Sequence, residues 1–163
     1  MPLSRKTPLR RTAFKRRRGP IKASPKTLEK RIREKMLDDL CREVTFLRDR
    51  HTCVRCGRGL LDLNKFGKPT VLHWAHVITR RIRRTRWRLE NVMTLCEGCH
   101  FGFWHRAKIR MQDWPDQKAM EWFEMKFTDR YAMLRLMQND RSPLPDATLV
   151  RMYLEHERRR LAA

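Results

Sequence analysis

The sequence predicts an α+β fold: a small metal-built module of two strands and a helix, flanked by α-helices and preceded by a basic tail. Three observations carry this. Four of the five cysteines fall in two Cys-x-x-Cys pairs in the middle of the chain. Apolar residues recur at helical spacing before and after that stretch. The first 23 residues hold nine lysines and arginines and no acid. A length of 163 residues suits one compact domain with extensions.

Taken in order, residues 1–23 repel themselves and are expected to stay disordered until they meet a polyanion. Ser24-Pro25 supplies an N-cap and a proline at the first helical position. The helix over 24–50 then carries Leu28, Ile32, Met36, Leu40, Val44 and Leu47 as its stripe, with Cys41 as core packing. Residues 51–110 form the metal-built module. Within it, 57–70, with Gly57, Gly59, Gly67 and Pro69, reads as a loop or loose hairpin, Val71–Val77 and Asn91–Leu95 as strands, and a helix runs from near Cys99 toward Arg110. The region 111–163 is helical again. Asp113-Trp114-Pro115 starts one helix with Met120, Phe123 and Phe127. Thr128 caps the next, with Tyr131, Leu134 and Met137. Asp146 caps the last, with Leu149, Met152, Tyr153 and His156.

The 39 lysines and arginines face 18 acids, a formal net charge of +21. Self-repulsion on that scale opposes folding, so it points to a polyanionic partner, most simply nucleic acid. Of the 39, 28 are arginine, whose planar guanidinium grips phosphate oxygens in bidentate fashion. No apolar run approaches the ~20 residues of a spanning helix, which argues against a membrane. The opening Met1-Pro2-Leu3-Ser4-Arg5-Lys6 lacks the apolar core of a secretory signal. Cysteines arranged for metal rather than disulfides fit a reducing compartment, and the expected location is the cytoplasm.

Cys53-x-x-Cys56 and Cys96-x-x-Cys99 are separated by 39 residues. Each pair can close a tight knuckle on one ion, and four thiolates complete a tetrahedron, the pattern of a structural zinc site. Such a site has no open position, so Zn2+ there holds the fold rather than doing chemistry. Around the cysteines lie His73, His76, Asn91, His100 and His105. Asn91 follows His76 by fifteen positions, and His100 follows Asn91 by nine, directly after Cys99.

With the cysteines around them, His76, Asn91 and His100 resemble the HNH nuclease motif of the His-Me finger (ββα-metal) superfamily over roughly residues 50–106. The basic N-terminus, the helix into the first knuckle, and Ala75-His76 followed by Thr79-Arg80-Arg81 resemble phage and prophage proteins of the NinG/Rap recombination-nuclease type. The resemblance implies a metal-dependent endonuclease that hydrolyses DNA phosphodiester bonds and leaves 5′-phosphate and 3′-hydroxyl ends. His76 would be the general base. Asn91 would accept a hydrogen bond from the other ring nitrogen of His76 and set its tautomer. His100 would bind a divalent catalytic ion that stabilises the pentavalent phosphate. Many members carry an aspartate just before the base, where this chain has Ala75. His105 first, and His73 second, are the available replacements. An imidazole-rich set favours Mn2+, Ni2+ or Zn2+, with Mg2+ still compatible.

Between His76 and Asn91 lie Arg80, Arg81, Arg83, Arg84, Arg86 and Arg88, expected to grip DNA phosphates beside the cut, Arg80 and Arg81 foremost. Trp87 fits core packing better than base stacking. Glu90, Asp38, Asp39, Asp113 and Asp116 form no convincing carboxylate metal cluster. Two readings stay open: the endonuclease, with branched DNA among its candidate substrates, and a non-catalytic zinc-containing nucleic-acid-binding protein. Cutting both strands symmetrically would need two active sites, which leaves monomer and homodimer both compatible.

Overall fold

In the computed structural model, residues 24–64, 66–105 and 115–163 are described. The basic tail, Arg106–Arg110, Asp113 and Trp114 lie outside them.

The centre is an antiparallel pair, β1 (Leu72–His76) and β2 (Val92–Cys96), each within a residue of its expected place. The register sets His73 opposite Leu95, Ala75 opposite Met93 and His76 opposite Val92. All five β2 residues are buried, so the sheet is covered on both faces. Alternation then divides the core in two. Ala75, Met93 and Leu95 pack with Trp104, Phe123 and Leu134 on one side. Val92 packs with Leu37, Cys41, Val44, Trp87, Leu89 and Leu154 on the other.

The second side is built by α1 (Pro25–Arg48) and α4 (Ala147–Ala162). The helix starts follow the caps read from the sequence. Ser24 Oγ accepts from Thr27 N at 3.3 Å, and Asp146 Oδ1 from Thr148 N at 2.7 Å. The buried faces differ from expectation. On α1 the buried residues are Leu37, Cys41, Val44 and Thr45, while Leu28, Ile32 and Met36 are more than half exposed. On α4 it is Leu154, flanked by Ala147, Val150 and Leu161, that faces the core, while Leu149 and Met152 lie in solvent and Tyr153 is partly exposed. Both helices carry two apolar stripes, and the sequence alone did not say which one meets a neighbour. Cys41 packs as expected, and burial pushes its thiol up to about 12.

The first side is closed by α2 (Gln117–Lys126) and α3 (Thr128–Asn139). The cap of α2 is Asp116, whose Oδ1 accepts from Lys118 N at 3.0 Å. Thr128 does not cap α3: it is the first residue of that helix, and its hydroxyl donates to Glu124 O at the end of α2. No helix among the described residues is long and apolar enough to cross a membrane.

Two half-buried arginines tie the helices to the sheet. Arg48 of α1 donates to Leu89 O (2.6 Å) and Val92 O (2.9 Å). Arg130 of α3 donates to Leu89 O, Glu90 O and Val92 O at 2.7–3.2 Å. Together they satisfy carbonyls at the 3₁₀ turn Leu89–Asn91 that no strand partner reaches. Burial lowers the Arg130 guanidinium to about 10, still charged at neutral pH.

Because the buried face of α1 starts at Leu37, Leu37→Ala should cost about 2–5 kcal/mol, whereas Ile32→Ser should stay within about 0.5 kcal/mol. Urea unfolding of the two variants checks this; equal losses would restore the continuous stripe.

Candidate active site and metal centre

The chain leaves α1 through Arg50 and His51, both left-handed (φ 54° and 51°), and enters the first knuckle. Gly57 completes it at φ 76°, a conformation open to glycine, with its N–H donating to Cys53 O at 2.8 Å. The second knuckle joins the end of β2 to the following turn. The four cysteines Cys53, Cys56, Cys96 and Cys99 converge, with all sulfur atoms within 4.8 Å of one another. Among the described residues they are the one set of three or more His, Cys, Asp or Glu side chains so gathered. Cys56 Sγ and Cys96 Sγ are 3.7 Å apart. A tetrahedron with Zn–S bonds of ~2.3 Å has an edge of about 3.8 Å. The donor set therefore fits zinc.

Electrostatics point the same way. The hydrogen bond from Cys99 pulls the Cys53 thiol down to about 4 against its burial. That bond and burial push Cys99 up. Four thiolates cannot coexist here without a cation to offset their repulsion. Arg55 Nη1 adds a donor to Cys99 Sγ at 3.5 Å while its guanidinium lies 3.8 Å over the Phe103 ring.

After Cys99 the chain does not form the expected α-helix. Gly98–Trp104 is π-helical, and His105 N donates to His100 O at 3.0 Å, an i→i+5 bond. Five residues are a poor interval for shared ligation on an α-helix, where i and i+4 share a face, and the π-turn removes that difficulty. Residues five apart fall on one face of a π-turn, and the His100 and His105 rings stand 4.8 Å apart. The His73 ring lies 5.0 Å from His100. His100 Nδ1 is buried with no hydrogen-bond partner. Burial, then the neighbouring His105, His73 and His76, lower His100 to about 3, so it is a neutral imidazole with an available lone pair. Burial also lowers His73, with Glu97 opposing.

His76 is the last residue of β1 and points to the face opposite His73. Burial lowers it to about 4, the hydrogen bond to Arg86 opposing. Its partner corrects the expectation for Asn91. His76 Nε2 lies 3.2 Å from Arg86 O, and since a carbonyl only accepts, Nε2 carries the proton and Nδ1 the lone pair. Asn91, fully buried, is spent on the connecting loop. Its Oδ1 accepts from Ile78 N (2.7 Å), its Nδ2 donates to Ile78 O and Thr85 O (3.0 Å each), and its carbonyl accepts from Val77 N. Thr85 directly precedes Arg86. Asn91 thus fixes the loop whose next carbonyl orients His76.

The six arginines divide. Arg86 is clamped by Asp38 at 2.6 and 2.9 Å and by Glu34 at 3.4 Å. Arg84 pairs with Asp140 at 3.1 Å and with the Ser142 carbonyl and hydroxyl. Arg83 meets Glu34 at 3.1 Å. These acids hold the loop down, so Arg84 and Arg86 are structural ties rather than the phosphate grips expected. Arg80, Arg81 and Arg88 are exposed. Trp87 is core, its Nε1 donating to Asp38 at 2.8 Å. Asp39 pairs with Lys35 and Arg42 on the surface of α1. Sequence reasoning missed Asp38, Arg48 and Arg130, which look like any other charges in charge-rich helices. The His100–His105 interval was itself the available sign of the π-turn.

Set against family models, curated proteins and solved structures, the chain matches none.

The four-sulfur geometry predicts one tightly held zinc ion per chain. Cys99→Ser, or stripping with a chelator, should remove it and lower the melting temperature by roughly 10 °C or more. Metal analysis with thermal denaturation checks this; a chelator-stripped chain that melts unchanged would reject the site.

Proposed function

We propose that this chain is a metal-dependent endonuclease of the HNH type that hydrolyses DNA phosphodiester bonds, with a structural zinc in the four-cysteine site. One observation carries the reading: a π-turn anchored at Cys99 brings the His100 and His105 rings edge-to-face and sets them beside His73, with the half-buried His76, at the end of β1, close enough to lower the pKa of His100. A buried His100 Nδ1 that no protein group meets, beside two further imidazoles, is the arrangement of a ligand set rather than of a packed core. The exposed Arg80, Arg81 and Arg88 on the adjoining loop supply cationic contacts for a phosphate backbone.

In this reading His100 holds the catalytic divalent ion with His105 or His73, and substrate oxygens and water complete its shell. When bound, that ion stabilises the charge that builds on the phosphate and the leaving oxygen. His76 works through Nδ1, because Nε2–H is tied to Arg86 O. It accepts a proton from the attacking water, and the resulting imidazolium is held by the same carbonyl. The approach of an anionic phosphate raises the basicity of His76, since its charged form gains an opposite neighbour. Asn91 is a positioning residue acting through the loop. A DNA-processing role in phage or prophage recombination follows from the resemblance of the motifs.

The non-catalytic nucleic-acid-binding reading has two observations in its favour. Ala75 provides no carboxylate, and the histidine nitrogens are less tightly gathered than the cysteine sulfurs.

A cleavage panel over Mg2+, Mn2+, Ni2+ and Zn2+ on duplex, single-stranded and four-way-junction DNA decides between the two. Cutting should require added metal. His76→Ala and His76→Gln should each lower the rate by at least about 100-fold while zinc content and DNA affinity hold. Undiminished cutting by both variants would remove His76 from the mechanism.

The direction of the His76 shift fixes the pH profile. A depressed histidine is neutral above its pKa and is lost as a base only below it. kcat/KM, which reports the free enzyme, should stay level from pH 8 through 6.5 and fall only toward about 4. The acid limb of kcat should lie higher, because bound phosphate raises the group. An inflection of kcat/KM at 6.5 would contradict the buried base.

A further inference from the structure

The nuclease reading accounts for the histidines, the cysteines and the arginine loop, but not for a cavity beside them. It measures about 380 Å³ and opens between the 57–70 loop and the π-turn. That falls within the ~300–1,000 Å³ of small-ligand pockets. Arg58, Asn64, Phe66, Thr70, Glu97 and Phe101 line it. Phe101 joins it to the candidate site, standing 5.1 Å from the His73 ring and 4.9 Å from the His100 ring. Phe66 is 72% exposed. Thr70, only 5% exposed, has a buried hydroxyl with no hydrogen-bond partner.

The lining does not suit a phosphate. Glu97 would repel one, and it stands where a cationic chain could easily have placed another arginine. Two phenylalanines with one carboxylate, one guanidinium and an unsatisfied hydroxyl suit an unstacked nucleobase. Aromatic rings accept any base face, and the polar groups read its edge. Among the bases, guanine matches the charged pair best. Its N1–H and N2–H₂ can donate together to one carboxylate, while its O6 and N7 can accept together from one guanidinium. We infer that this cavity is a base-reading pocket that takes an unpaired guanine of the substrate strand next to the cut. The inference rests on the nuclease reading and adds to it a nucleotide preference and a need for a base free of its stack.

Binding without added divalent metal separates the two readings, with metal-dependent cleavage of the same strands run in parallel. Fluorescence anisotropy would compare thymine-rich single strands carrying one central guanine, inosine, adenine or cytosine. Inosine lacks only the 2-amino group. The guanine strand should bind about tenfold more tightly than the inosine strand, the discrimination expected of a bidentate edge contact. Glu97→Gln should erase that difference with zinc content unchanged, and Phe66→Ala should weaken all four strands. Equal affinity for guanine and inosine in the wild type, or a preference that survives Glu97→Gln, overturns the pocket while cutting persists. Failure to bind any strand likewise overturns the pocket, while failure to cut any DNA of the panel with any of the four metals overturns the nuclease reading beneath it.

Discussion

Everything near the candidate site hangs on the need of four cysteine sulfurs for one common positive charge. Cys96 ends β2, Cys99 opens the π-turn, and only two residues separate them, so the knuckle dictates the direction in which the chain leaves the sheet. Cys53 and Cys56 bring in the start of the module from the far side, 40 residues earlier in the chain for the Cys56–Cys96 contact. The two strands alone could not hold this arrangement, since a two-stranded sheet is marginal in water. Once the sulfurs are fixed, His100 is fixed as the residue after Cys99. The i→i+5 bond then brings His105 round to it.

The other half of the site depends on a different constraint, the satisfaction of buried carbonyls. The loop between β1 and β2 has no strand partner, so turn bonds such as Thr85 N to Ile82 O and side chains together meet its backbone groups. Asn91 meets three of them, at Ile78 N, Ile78 O and Thr85 O. Arg48 and Arg130 meet the carbonyls around Asn91 itself. A chain of dependence follows. Helices α1 and α3 hold the 3₁₀ turn, the turn holds Asn91, Asn91 holds the loop, and the loop carbonyl of Arg86 orients His76. The asparagine matters to the histidine without touching its ring.

The elements defined by local chemistry were legible in the sequence: the Ser24-Pro25 and Asp146 caps, the strand positions and the two cysteine pairs. Each is set by residues within a few positions of one another. What was not legible depended on partners far along the chain. Leu28, Ile32 and Met36 have the spacing of a core stripe, yet α4 packs against Leu37, Cys41 and Val44 instead. The π-turn escaped because helical periodicity cannot register a single i→i+5 turn. Arg84 and Arg86 looked like their neighbours in the run because nothing near them announces Asp140, Asp38 or Glu34, some 50 residues away.

That last point changes how the charge of the chain should be understood. An arginine clamped by carboxylates at 2.6–2.9 Å, as Arg86 is by Asp38, has lost much of its pull on a phosphate. It has gained a fixed geometry instead, and its own carbonyl faces His76. The loop therefore combines two uses of one residue type. Acid-paired arginines make it rigid, and the exposed Arg80, Arg81 and Arg88 are those the proposed function would turn to phosphate. A loop of six unpaired arginines would repel itself and could not hold a carbonyl against a histidine ring. The few acids of this basic chain thus act where their positions count most, fixing the loop carbonyl that faces the His76 ring.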